Sequence, residues 1–303
     1  MIVDQRAAGP AAIVADAPLS VLASGFEFCE GPVWLAGDRE LVISDIPADR
    51  MYRISTTGSV RLFRAPSRKA NGSALDTQGR LVTCEHATSR VVRSELDGTL
   101  RTLADTYGGR ALNSPNDVVV ASDGTIYFTD PLYGRGARYG VERRAELPWQ
   151  GVYRLSPDES RLELLADDFE GPNGLCLSLD ERHLFVNDTE RRHIRRFEPD
   201  STGVTGGNVW AEIHGDGIGV PDGMKVDAAG RLFCTGPGGV HVLDEHARLL
   251  GVIRVPEDPA NFTWGGDDRQ TLFICATTTV YQIRTVVPGP DTTAGAKSGS
   301  IRR

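Results

Sequence analysis

The sequence predicts an all-β protein, a six-bladed β-propeller with a central divalent-cation site. Three observations carry this prediction. One unit recurs six times: a polar residue, an apolar strand, a Gly- or Asp-rich turn and a second apolar strand. Its period falls in the propeller-blade range of ~40–50 residues. Almost no stretch shows the apolar period of an amphipathic helix, ~3.6 residues.

The units begin EGPVW at Glu30, NGSAL at Asn71, NDVVV at Asn116, NGLCL at Asn173, DGMKV at Asp222 and NFTWG at Asn261, giving spacings of 41, 45, 57, 49 and 39 residues. Each is followed by a turn (AGDRE, DTQGR, ASDGT, SLDER, DAAGR, GGDDR) and a short strand (LVISD, LVTCE, IYFTD, HLFVND, LFCTG, LFICA). A third strand often follows, as in RMYRI or GVYRL. A sheet this small cannot bury both faces alone. Packing around an axis covers the faces and protects the edges. The segment around LSVLASGF is expected to supply the outer strand of the last blade and so close the ring.

Residues 1–19 are read as an N-terminal extension, 20–287 as the propeller and 288–303, rich in Gly, Ser, Thr and Pro, as a disordered tail. The insertion PLYGRGARYGVERRAELPWQ, residues 131–150, is long for a hairpin and carries Tyr133, Tyr139 and Trp149. Long loops tend to be functional, and this one is expected to form a lid over one end of the propeller. A second long connection, residues 198–219, is less distinctive.

Composition narrows the function. Of 303 residues 40% are hydrophobic, enough for a sizeable core, and 41 acidic against 33 basic residues give a net charge of −8. That balance argues against a nucleic-acid partner and fits a cation site. The N-terminus lacks the pattern of a signal peptide, and no apolar run reaches membrane-spanning length. A cytoplasmic protein is expected. The oligomeric state is not legible. Cys29, Cys84, Cys176, Cys234 and Cys275 are widely spaced without a CxxC pair, and are read as buried, reduced thiols.

The six origins occupy one repeat position, so a propeller gathers them around its axis. The ring reads Glu30, Asn71, Asn116, Asn173, Asp222 and Asn261, all oxygen donors. Carboxylates brought together repel unless a cation or a proton sits between them. Glu30 and Asp222 match one divalent cation in charge, and the amide oxygens of Asn116 and Asn173 can complete its shell. Hard oxygen ligands suit Ca²⁺. Mg²⁺, Mn²⁺ or Zn²⁺ are substitutes, zinc the poorest fit without nitrogen or sulfur donors. Asn71 and Asn261 are expected beside the cation as substrate contacts. A second acidic set, Asp45, Glu85, Asp130 and Asp188, ends the second strands and is read as structural.

At Glu30-Gly31-Pro32, Asn116-Asp117, Asn173-Gly174 and Pro221-Asp222-Gly223, in this order over residues 20 to 285, the chain resembles the senescence-marker-protein/gluconolactonase/luciferin-regenerating-enzyme-like family, which includes regucalcin, and within it the bacterial gluconolactonases. The resemblance implies a six-bladed propeller with a divalent cation held by Glu30, Asn173 and Asp222. Asn116 is then a fourth ligand or a substrate contact. The implied activity is lactone hydrolysis, or organophosphate hydrolysis as in some relatives. Animal members carry an Arg two residues before the third-blade Asn, where this chain has Ser114. Arg68, Arg135, Arg138 and Arg143 are candidates to replace that charge.

The expected reaction is calcium-dependent hydrolysis of a small-molecule sugar lactone. The cation polarises the carbonyl and a carboxylate takes the proton from water. Asp222 is the first choice for that base and Glu30 the second. No G-x-S-x-G elbow is present. His86, which follows Glu85, could lie near the channel entrance, but a His-based mechanism is not favoured; the other five histidines are read as peripheral. Two alternatives stay open: a phosphotriesterase on the same cation, and a non-catalytic propeller with a structural one.

Overall fold

The computed structural model describes residues 3–5, 13–200 and 203–291. Their strands form six antiparallel sheets, each of four strands apart from one of five, and a separate two-stranded hairpin. The innermost strands are Cys29–Leu35, Ala70–Leu75, Val118–Val120, Pro172–Leu177, Met224–Val226 and Pro259–Gly265, in blades 1 to 6.

Strand periodicity explains why these blades pack as a ring. Successive side chains point to opposite faces, and in a propeller both faces meet a neighbouring blade. In Leu184–Asp188, Leu184 and Val186 pack against Val152 and Phe169 of blade 3, while Phe185 joins Met224 and Leu232 of blade 5. The core is accordingly divided among the six blade-to-blade interfaces. This is why the strands read as unbroken apolar runs rather than as apolar–polar alternation. The five cysteines lie buried and unbridged in these layers.

Closure joins the two chain ends. Ser20–Ser24 pairs antiparallel with Thr279–Arg284 and becomes the outer strand of blade 6. Val3–Gln5 adds a fifth strand to blade 5. Ile13, 1% exposed, enters the interface of blades 5 and 6. At the other end Pro288 and Gly289 still bond to the propeller, through Ala228 and Arg269. The rest of the expected tail, 292–303, lies outside the described residues.

Two sequence expectations change in detail. Residues 198–219 are in large part a continuation of the blade 4 hairpin, His193–Asp200 with Gly203–Glu212. Outer strands such as Val60–Arg64 complete each blade; mostly exposed, they carry little apolar signal. Among the described residues no helix is long and apolar enough to cross a membrane.

Candidate active site in the propeller channel

The ring residues are set by the way the innermost strands crowd together. A Cβ on Gly31 would lie 2.0 Å from the Asn71 carbonyl oxygen, and one on Gly174 1.9 Å from that of Asp222. Glycine is therefore demanded after Glu30 and Asn173, because the next blade's ring residue passes against it. Second-strand side chains fasten the same backbone: Ser44 Oγ donates to the Asn71 carbonyl and Thr129 Oγ1 to the Asn173 carbonyl, each at 2.8 Å. Asn187 likewise donates to the Asp222 carbonyl. Blades 1, 3 and 4 thus each orient the ring residue of the next.

Glu30, Asn71, Asn116, Asn173 and Asn261 are 2–5% exposed, and Asp222 keeps more accessible surface. The structure adds a third carboxylate, Asp117, 4% exposed. Burial, then repulsion from Asp117, pushes Glu30 up to about 8, against the Gly31 N–H, the Asn261 amide and the Lys225 ammonium. Burial, then the charges of Glu30, Asp117 and Asp258, raises Asp222 well above the usual carboxylate range. Asp117 is raised by burial and partly relieved by Lys225. With all three carboxylates ionised, Glu30, Asp117 and Asp222 against Lys225 would leave two negative charges, the deficit one divalent cation offsets; without a cation, protons take its place on the groups whose pKa is raised.

A second observation tests the fit of such a cation. Asn173 Nδ2 donates to Thr189 Oγ1 at 3.1 Å, and that hydroxyl spends its own hydrogen on the Pro221 carbonyl at 2.6 Å. The amide orientation is thereby fixed. Its Oδ1 is buried without a partner among the described residues, and the Asn173 side chain lies close enough to the Asp222 carboxylate to lower its pKa. A buried oxygen left over next to paired carboxylates suits a hard cation. No cluster of three His, Cys, Asp or Glu side chains offers a metal site among the described residues, so amide oxygens are needed to complete this one.

The remaining ring members differ in role. Asn261 has both amide atoms engaged, Nδ2 on Glu30 Oε2 at 3.1 Å and Oδ1 on the Phe262 N–H at 2.9 Å. Whatever contact it makes with substrate, Asn261 also holds Glu30 in place. Asn116 is fixed through its backbone, its N–H on Thr129 and its carbonyl on the Gly72 N–H, both at 2.8 Å. Asn71 Nδ2 lies 3.2 Å from His86 Nε2, and its Oδ1 is another buried atom without a partner.

The 131–150 insertion folds back over this ring. The Tyr139 ring meets Phe28 edge-on at 5.1 Å between centroids, and its carbonyl accepts His86 Nδ1–H at 2.8 Å. Tyr133 reaches Glu190 at 3.3 Å. The insertion therefore spans from blade 1 to blade 4. Asp222 lies near enough to both phenols to oppose their ionisation, though burial is the larger cause of their raised pKa values.

With this geometry in place, residues 28–278 match the family described as SMP-30/Gluconolactonase/LRE-like region. The chain belongs to this family. It is 33% identical to a gluconolactonase of Zymomonas mobilis over 291 positions, 88% of this chain and 81% of that one. It is 26% identical to a pentonolactonase of Haloferax volcanii over 253 positions, 81% and 80% of the two chains. A solved gluconolactonase of Xanthomonas campestris matches with a TM-score of 0.88 at 36% identity, covering 94% of this chain and 95% of that one. A calcium-binding protein, regucalcin, of Agrobacterium tumefaciens shares the fold, with a TM-score of 0.71 at 17% identity over 92% of this chain and 95% of that one.

Where this family member departs from the animal pattern, the structure supplies a reason. Ser114 is fully buried; its Oγ donates to the Pro131 carbonyl at 2.6 Å and accepts the Gly134 N–H at 3.0 Å. It anchors the insertion. Arg135 and Arg143 are spent on backbone carbonyls, Leu112 and His86 at 2.6 Å. Arg138 lies exposed over the Tyr139 ring at 5.1 Å, and Arg68 is exposed. In the second acidic set, Asp130 binds the N–H groups of Asn113 and Ser114 and Asp188 those of Glu170 and Gly171. These carboxylates fasten the loops that lead into the innermost strands. Lys225 and Thr189 escaped the sequence reading, and Asp117 entered it only as part of the Asn116-Asp117 motif, not as a member of the site. Asp117 could have been found as the one Asp standing where four other units carry Gly.

Proposed function

We propose that the chain is a divalent-cation-dependent lactonase that hydrolyses sugar lactones such as glucono-1,5-lactone, with calcium the cation its oxygen donors suit best. One observation above all supports this reading. In a chain of the gluconolactonase family, Glu30 and Asp222 converge with the partnerless Asn173 Oδ1. Glu30, Asn173 and Asp222 would hold the cation, and Asn116 would complete its shell or touch substrate. When bound, the cation supplies Lewis-acid polarisation of the lactone carbonyl.

The chain's own residues divide the remaining work. Asp222 is the better base. It keeps accessible surface for water, whereas Glu30 Oε2 is occupied by the Gly31 N–H and the Asn261 amide. Asp222 takes the proton as water adds to the carbonyl carbon. The bond from that carbon to the ring oxygen then breaks, and the proton passes to the departing oxygen to give the hydroxy acid. Tyr133 and Tyr139 close the mouth and limit water around the substrate.

The test is lactone opening followed as proton release, with the spontaneous rate subtracted. Chelator-stripped protein is titrated with calcium, magnesium, manganese and zinc. Saturable activity restored by metal is the expected result, calcium ranking first. No turnover with any metal would overturn the reading.

A further inference from the structure

His86 lies outside the cation site, yet its hydrogen bonds connect the insertion to the ring. A carbonyl only accepts, so at 2.8 Å from the Tyr139 oxygen His86 Nδ1 must carry the hydrogen. The ring is 1% exposed. Burial, with the nearby Arg143, lowers its pKa to about 4, so at neutral pH Nε2 is a bare acceptor. Asn71 must then turn its Nδ2 toward that nitrogen, 3.2 Å away. The opposite amide atom, Oδ1, is left buried with no hydrogen-bond partner among the described residues. A buried acceptor without a donor is costly, and such groups are ordinarily satisfied by something outside the chain.

We propose that the insertion, acting through His86, fixes Asn71 as a hydrogen-bond acceptor for a ring hydroxyl of the substrate, so that the site selects polyhydroxylated lactones over unsubstituted ones. The inference rests on the lactonase reading and adds the source of its selectivity. An acceptor oxygen cannot recognise a carbonyl or a ring ether; it needs an O–H, which a sugar lactone carries on most of its ring carbons. His86 is a positioning residue here. Without its lone pair the Asn71 amide can turn over and offer a donor instead, and a site built around one hydrogen-bond polarity discriminates strongly against the other.

The experiment compares kcat/KM for glucono-1,5-lactone and for δ-valerolactone, which lacks hydroxyls, in wild type, Asn71→Leu, His86→Leu and the double variant. The expected result is a fall of about 10-fold in the ratio of the two for each single variant, and no further fall in the double variant, since both remove one interaction. Generalised damage to the fold lowers both substrates together and leaves the ratio unchanged. If His86→Leu does not fold, Asn71→Leu alone still decides the matter. An unchanged ratio in Asn71→Leu overturns the proposal. So does an unchanged ratio accompanied by a smaller calcium-induced rise in melting temperature, which would make Asn71 a cation ligand. If wild type opens neither lactone, the lactonase reading itself has failed and this inference falls with it.

Discussion

Asp222 shares the channel with Glu30 and Asp117, and burial together with their charge raises its pKa well above the ordinary value. An amide of the same shape removes that repulsion. Asp222→Asn should therefore melt higher than wild type in chelator, by about 1–2 °C, the shift ~1 kcal/mol gives in a chain of this size. It should also open glucono-1,5-lactone at least about 100-fold more slowly. A lower melting temperature in chelator would refute the repulsion argument. His86 makes a separate prediction about acid. Its folded pKa of about 4 lies below the ordinary histidine value of 6.5, so between those values the unfolded chain binds the proton first. Its contribution to stability is complete above pH 6.5 and is lost as pH falls toward about 4. The total is on the order of 3 kcal/mol for a pKa lowered from 6.5 to about 4. Urea unfolding of wild type against His86→Leu should show the stability difference shrinking over this window; a constant difference would contradict the assignment. At this scale the shared ring position of Glu30, Asn173 and Asp222 was legible because repetition singles out a position. Lys225 was not, because a lysine between Met224 and Val226 reads as one solvated side chain in a strand, and only the closed ring turns it toward Glu30 and Asp117.

Among the elements, the 131–150 insertion was legible as an anomaly of length and composition, but its destination was not. Its course depends on contacts far apart in sequence: Tyr139 with Phe28 and His86, and Tyr133 with Glu190. Its footing on Ser114 was hidden as well, since a serine in LNSPND looks like an ordinary turn residue. The strands within each blade illustrate the same limit. Inner strands bury both faces and announce themselves as apolar runs, whereas outer strands such as Leu100–Ala104 are largely exposed and do not. The insertion holds Tyr133 and Tyr139 above Asp222 and fixes His86 beside Asn71. Replacing residues 136–145 by a short Gly-Ser link should therefore raise KM for glucono-1,5-lactone by about 10-fold, while calcium still raises the melting temperature. Steady-state kinetics beside a thermal scan separate the two effects, and an unchanged KM would remove the insertion from substrate binding.

For the molecule as a whole, the seam of the ring runs between blades 6 and 1, and the candidate site straddles it. Ser20–Ser24 zips the chain ends together on the outside of blade 6, while on the inside Asn261 of blade 6 holds Glu30 of blade 1 at 3.1 Å. Cation ligands drawn from blades 1, 4 and 5 would clamp that seam from the axis. Binding to the closed ring alone stabilises it in proportion to the logarithm of cation concentration, ~2.7 kcal/mol at 100 times Kd. Ala23 offers a way to load the seam without touching the site. It is 7% exposed and packs between blades 6 and 1 with Phe273, Val280 and Ile43. Ala23→Asp places a charge in that apolar layer and should cost about 2–4 kcal/mol. In chelator the variant should lose the cooperativity of the wild type, with an early thermal transition as the seam parts ahead of the remaining blades. Calcium should move that early transition upward until it merges with the main one, because opening the seam carries Glu30 away from Asn173 and Asp222. Calcium that raised the main transition and left the early one in place would show that the cation does not bridge the closure, and Glu30 would lose its place among the ligands.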